Sequence, residues 1–218
     1  MRFMLSGSRP TLVSRPLLAI GLLAGTMLSA PALAIEELPN SLASLTPAEF
    51  AGSAQVIDDR LEPELVVSTQ DAYSRSRPLD GARARDVHMK ARIARDEGSV
   101  TYHVVHDLAY WSPYRQFTHV QFMDGDTLVM RPVMIEKTGR EYCDQDTAIG
   151  ECRVFQTLSF ELSAAEMERL AQGYSAGSRE PWRLRFKDEF GEDVTSGIAP
   201  AEAGGLLQAV SGLRKKAS

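Results

Sequence analysis

The chain has 218 residues, 44% hydrophobic, 7% aromatic and 24% charged, with 16 Gly, 11 Pro and 2 Cys; these proportions exclude a collagen-like, low-complexity or disordered chain. The first 34 residues hold three arginines (Arg2, Arg9, Arg15) and no acid, which leaves 21 of the 24 basic side chains against all 29 acids, a balance of −8. So acidic a body argues against non-specific binding to nucleic acid or anionic lipid, which needs a basic patch able to displace counterions.

Residues 1–34 read as a secretory signal: a basic start, an apolar run from Pro16 to Ala30, and the small-residue site Ala32-Leu33-Ala34, with cleavage expected after Ala34. The run is about 15 residues, interrupted by Gly21 and Gly25 and followed by Pro31, short of the roughly 20 that a membrane span needs. No Cys follows the site to take a lipid, and no Arg pair marks export of a prefolded chain. An alanine-rich signal of this kind has a bacterial look and implies a periplasmic protein of a Gram-negative cell, with no span in the mature chain.

Residues 35–60 are expected to form an N-terminal extension with one short helix, and 61–214 a single globular domain. Thr46-Pro47-Ala48-Glu49 supplies an N-cap, a first-turn proline and a capping-box acid, starting a helix that runs to about Ala54. Glu64 to Thr69 reads as a strand and Ser74 to Arg85 as a polar loop. Val87, Met89, Ala91 and Ile93 then alternate with polar residues, as do Val100, Tyr102 and Val104 beyond Arg95-Asp96-Glu97-Gly98. Facing the apolar sets places Ile93 opposite Val100, Ala91 opposite Tyr102 and Met89 opposite Val104, because a one-residue slip would send one set to solvent.

A second hairpin pairs Phe117–Met123 with Thr127–Ile135. A three-residue loop, Asp124-Gly125-Asp126, predicts Phe122 opposite Leu128 and Val120 opposite Met130. Pro132 marks an edge or a bulge there. Lys137-Thr138-Gly139 reads as a turn and Val154 to Leu162 as a strand. Ser163 and Glu166 form a capping box with Leu162 and Met167 as its hydrophobic staple, so a helix starts at Ala164 and ends near Gly173. Trp182, Leu184 and Phe186 alternate with Arg183, Arg185 and Lys187, a strand with one buried and one basic face. The last helix, from Pro200 or Ala201 to Arg214, carries Ala203, Leu206, Leu207, Val210 and Leu213 on one stripe. Gly204-Gly205 inside that stripe reads as close packing rather than as a phosphate loop. Hairpins followed by helices imply an α+β, mainly antiparallel β fold, a sheet folded into a sandwich or partial barrel with two helices of the C-terminal half packed on it.

Cys143 and Cys152 flank a polar loop containing Gly150, and a disulfide is the natural reading in an oxidising compartment; catalytic redox pairs have closer spacing. Asp144, Asp146 and Glu151 in that loop lack the spacing of a calcium site. His88, His103, His106 and His119 invite a zinc reading. Residues three apart on a strand point to opposite faces, however, so His103 and His106 cannot meet, and Lys90 opposite His103 repels a cation. No metal or other cofactor is expected, and no Gly-x-Ser-x-Gly elbow or other catalytic set stands out. The segment that draws attention is Leu108 to Phe117: Tyr110, Trp111, Tyr114 and Arg115 gather around Pro113 between the hairpins. Such side chains bury much area with few rotors to freeze, which suits a recognition loop, and equally suits a corner that plugs the end of a sheet.

Tyr102 to Asp107 followed by Trp111 to Phe117, Phe122-Met123-Asp124-Gly125, Phe160-Glu161-Leu162-Ser163, Leu184-Arg185-Phe186 and the Glu202 to Val210 helix resemble a loose group of secreted or lipid-anchored proteins of Gram-negative bacteria without assigned function. The resemblance covers about residues 100–213 and implies no activity and no catalytic residue. The expectation is an exported, non-catalytic domain that binds or supports another envelope protein or a small ligand. The alternatives are a hydrolase whose site assembles only in three dimensions and a small-ligand carrier.

Overall fold

A computed structural model describes residues 37–70, 72, 77–79, 82–111, 113–141, 143 and 152–217. The expected signal with its cleavage site, and the acidic loop 144–151 with the calcium reading, lie outside the described residues. In chain order the elements are α1 (Asn40–Ala43), α2 (Pro47–Ser53), β1 (Gln55–Ile57), β2 (Glu64–Ser68), β3 (Arg77–Leu79), β4 (Ala82–Ala94), β5 (Val100–Trp111), β6 (Phe117–Asp124), β7 (Thr127–Pro132), β8 (Met134–Glu141), β9 (Arg153–Leu162), α3 (Ala164–Gln172), β10 (Trp182–Asp188), β11 (Val194–Ile198) and α4 (Pro200–Ala217). Seven strands form an antiparallel sheet in the order β1-β2-β4-β5-β9-β8, with β3 paired to β4; four form a second, in the order β11-β10-β6-β7. This is the expected α+β class dominated by antiparallel strands. Among the described residues the sheets do not close into a barrel.

The alternation along β4 and β5 sets the register. Ile93 pairs with Val100, Ala91 with Tyr102 and Met89 with Val104, and Gly98 closes the connection at φ +64°. Val87, Met89, Ala91 and Val104 are thereby buried together, the valines and the methionine each contributing about 1.5–3 kcal/mol. The second sheet meets them with Val120, Phe122, Leu184 and Phe186 in one continuous core. Phe160 stacks on Phe122 at 5.8 Å and meets Phe186 edge-on at 6.0 Å.

The helices start where their caps require. Ser163 and Glu166 make both capping-box hydrogen bonds, so α3 delivers Met167 and Leu170 to the core. Thr46 and Glu49 do the same for α2, with Pro47 in its first turn. On α4, Ala203, Leu206 and Val210 enter the core, and the two glycines admit α2: a Cβ on Gly205 would stand 2.3 Å from Phe50 Cβ. Cys143 and Cys152 form a disulfide with Cα atoms 3.9 Å apart. Closing so short a loop contributes about 2.5–3 kcal/mol in the chain-entropy account.

Several boundaries differ from the sequence expectation. The β6–β7 loop has two residues rather than three: Asp124 pairs with Thr127, Phe122 with Val129 and Val120 with Arg131. Gly125 at φ +60° permits the tight turn, whose twist matches that of the strands. The shift carries Val129 inward and leaves Leu128 and Met130 outside. Thr127–Ile135 is not one strand, because the chain leaves the small sheet at Pro132 and enters the large one at Met134. Pro132 does lie on an edge strand, where its missing N–H costs least. Lys137-Thr138-Gly139 is not a turn but the middle of β8, paired along its length with β9; cross-strand pairing overrides the local turn preference. The polar segment 74–85 contains β3 and the start of β4, and the last helix continues past Arg214. The short strands β1 and β11 were beyond the reach of alternation.

Candidate functional site

β5 runs through Tyr110 and Trp111, so the pleat sends these neighbours to opposite faces. Tyr110 is 3% exposed; its hydroxyl donates to Gln156 Oε1 and accepts the Arg115 N–H at 2.9 Å. Gln156 Nε2 closes the clasp by donating to the Arg115 carbonyl at 3.2 Å. The Arg115 guanidinium lies 5.1 Å from the centre of the Tyr110 ring and donates to the Glu192 carbonyl at 3.3 Å. Burial raises the Tyr110 pKa, with the Arg115 N–H pulling the other way, so the phenol stays protonated at neutral pH. Tyr114 is half-buried under the Arg140 guanidinium at 4.6 Å. The buried Asp188 carboxylate accepts N–H groups of Gln116 at 2.7 Å and Phe190 at 3.0 Å. Tyr110, Tyr114 and Arg115 therefore brace a corner, whereas Trp111 is 57% exposed.

The face of the large sheet that carries Trp111 contains a trough of about 600 Å³. Its basic groups are Lys90 and Lys137, and its acids Asp107, Glu136 and Glu141; Arg140 borders it but pairs with the core residue Val154 and turns its guanidinium to Tyr114. Asp107, Thr157 and Lys137 are successive register partners on β5, β9 and β8, and the Thr157 hydroxyl donates to Asp107 Oδ1 at 2.6 Å. Two residues along the strands, Gly139 pairs with Phe155. A Cβ on Gly139 would meet nothing within 4 Å, so the missing side chain leaves the Phe155 ring as an apolar wall of the trough. Beyond it, Trp111 pairs with Arg153, whose guanidinium lies 5.5 Å from the Phe155 ring centre. The result is a polar trough with one aromatic end.

The histidines are spread by the pleat. His88 and His103 share the trough-side face, with Lys90 directly opposite His103. His106 points into the core, edge-on to Phe186 at 5.2 Å. His119 belongs to the small sheet, its Nδ1 3.0 Å from Thr118 Oγ1. Burial, and after it the Arg92 charge, lowers the His103 pKa, and Thr101 Oγ1 lies 3.3 Å from its Nε2. Among the described residues no three His, Cys, Asp or Glu side chains gather to hold a metal ion, and no helix among them is long and apolar enough to cross a membrane.

No protein-family model, curated protein or solved structure matches this chain. The trough draws on residues that sequence reasoning did not assign to a site: Lys90, Thr157, Lys137, Gly139 and Phe155. Polar residues alternating along a strand look like an ordinary solvated face, and β8 was obscured by its turn-like residues. The signal that could have found the trough is Gly139, a gap in a strand opposite an aromatic ring.

Proposed function

We propose that this protein is an exported, non-catalytic binding domain of the bacterial envelope that holds a polar ligand, or a polar segment of another envelope component, in the trough beside Trp111. One observation carries the reading: cations and anions together line a 600 Å³ trough on the face of the sheet that carries a tryptophan the fold leaves exposed. A ligand with both charges and an apolar or ring-bearing end fits that arrangement, the charges fixing its orientation and Trp111 and Phe155 supplying contact area. The envelope setting rests on the signal-like start of the chain, from Arg2 to Ala34, and on the disulfide.

The test uses the chain lacking residues 1–34, returned to envelope extract, crosslinked and recovered, with native mass spectrometry for small ligands. Trp111→Ala and Gly139→Trp, which removes the aromatic end and fills the trough respectively, are each expected to lose the captured species while keeping the parent Tm. An unchanged capture profile in both variants refutes the reading.

The Thr157–Asp107 contact supports a second reading, a hydrolase using a hydroxyl nucleophile. Activating an alcohol takes a base that accepts its proton near neutral pH, the role imidazole fills, whereas a carboxylate acceptor mainly holds the hydroxyl in place. The binding reading is therefore preferred. Turnover of an ester or amide that is lost in Thr157→Val would reverse that preference.

A further inference from the structure

The outer face of the small sheet carries a second surface, independent of the trough. Register partners Arg185, Gln121 and Met130 cross it on β10, β6 and β7, and Met123 pairs with Leu128 beside them. Leu128 and Met130 are 59% and 58% exposed, and Met123 is 49% exposed. Arg183 and Arg185 are exposed on the same face, because Leu184 and Phe186 between and beyond them are buried. Among the described residues neither arginine has an ion-pair partner, while the neighbouring Lys187 pairs with Asp193. One side of the face is thus an apolar stripe and the other a cationic one.

Their separation selects the occupant. Met130 and Arg185 lie on strands two apart, about 10 Å at the usual strand spacing. A single extended peptide is too narrow to cover both stripes, whereas an α-helix has a diameter of about 10–12 Å. Laid along the strands, a helix meets Leu128, Met130 and Met123 with one flank and the arginines with the other. The arginines call for carboxylates. Methionines, being flexible and polarizable, adapt to such a partner. An anionic bilayer is a poorer match, since two arginines give only about 2 kcal/mol of attraction on a body whose residues 35–218 carry 21 basic against 29 acidic side chains. Strand addition at the β7 edge is limited by Pro132, which ends it after six residues.

We propose that this face docks an amphipathic helix of a partner protein, apolar on one flank and acidic on the other. The probe is a fluorescein-labelled synthetic 18-residue helical peptide with Leu at positions i, i+3, i+4 and i+7 and Glu along one flank, followed by anisotropy and by amide chemical shifts. Binding is expected to shift resonances of β6, β7 and β10, and to weaken at least tenfold in Arg183→Glu/Arg185→Glu and in Leu128→Thr/Met130→Thr. These four side chains are exposed, so both double variants should keep the parent Tm, and a variant whose amide spectrum shows unfolding is replaced by Arg185→Gln or Met130→Thr alone. The proposal is overturned if the peptide fails to bind at 1 mM, if a Lys-for-Glu peptide binds as tightly, if phosphatidylglycerol vesicles shift the same resonances while the peptide does not, or if sedimentation shows the face occupied by a second copy of the chain.

Discussion

Gly205→Ala tests how closely α2 sits on α4. The added Cβ would lie 2.3 Å from Phe50 Cβ, 2.8 Å from the Pro47 carbonyl oxygen and 3.0 Å from the Ala51 nitrogen. Carbon atoms in ordinary contact stand about 3.5–4.0 Å apart, so α2 must recede by more than about 1 Å. The obstructing atoms belong to backbone and to a Cβ, with no rotamer to give way. Overpacking of this kind costs about 1–3 kcal/mol, and the rigidity of the neighbours puts this case at the upper end. Against it stands the helix preference of Ala over Gly, about 0.8–1 kcal/mol. The net expectation is a loss of about 2 kcal/mol, or about 4–8 °C in Tm for a domain of this size. Lifting α2 away instead exposes Phe50, at about 1.5–3 kcal/mol, so this escape does not lower the cost. Gly204→Ala is the control, since its Cβ would meet only Pro47 side-chain atoms at 3.2 and 3.3 Å and an Ala171 methyl beyond; helix preference offsets that crowding and the change stays near zero. Urea unfolding of the two variants, followed by circular dichroism, measures both. A Gly205→Ala protein as stable as the parent would refute the reasoning.

Tyr110→Phe removes the hydroxyl from Gln156 and from the Arg115 N–H, and should cost about 1–3 kcal/mol in denaturant unfolding, whereas Trp111→Ala should change stability by less than about 0.5 kcal/mol; equal losses would contradict the division of the pair between corner and trough. His103 has its pKa lowered from 6.5 by burial and by Arg92, so below that value the unfolded chain takes up a proton that the native protein resists. Stability should accordingly fall as pH drops below 6.5 until it passes the native value, and His103→Gln should flatten that decline in urea midpoints measured at successive pH values; parallel profiles for parent and variant would remove His103 from the account. Cys143→Ser/Cys152→Ser should lower stability by about 2.5–3 kcal/mol, and reductant should then affect the parent alone; an unchanged urea midpoint would show that the loop needs no tether.

Local chemistry was readable wherever a short stretch carried its own answer. The alternation of Val87 to Ile93 with Val100 to Val104 specified the β4–β5 register, because any slip exposes an apolar row, and the Ser163–Glu166 and Thr46–Glu49 boxes specified two helix starts through hydrogen bonds spanning three residues. Gly204-Gly205 announced a close approach without saying what approaches. That required knowing that α2, some 150 residues earlier in the chain, packs there. The separation of Tyr110 from Trp111 depended on β5 continuing to Trp111 with β9 beside it, and the trough depended on β8 joining that sheet despite its turn-like residues. Both are pairings across distant chain segments, whose energy comes from neighbours rather than from the residues' own preferences. Tertiary structure alone decided which polar side chains meet around one cavity and which apolar ones remain uncovered, because a strand's sequence states its two faces but not what stands in front of either.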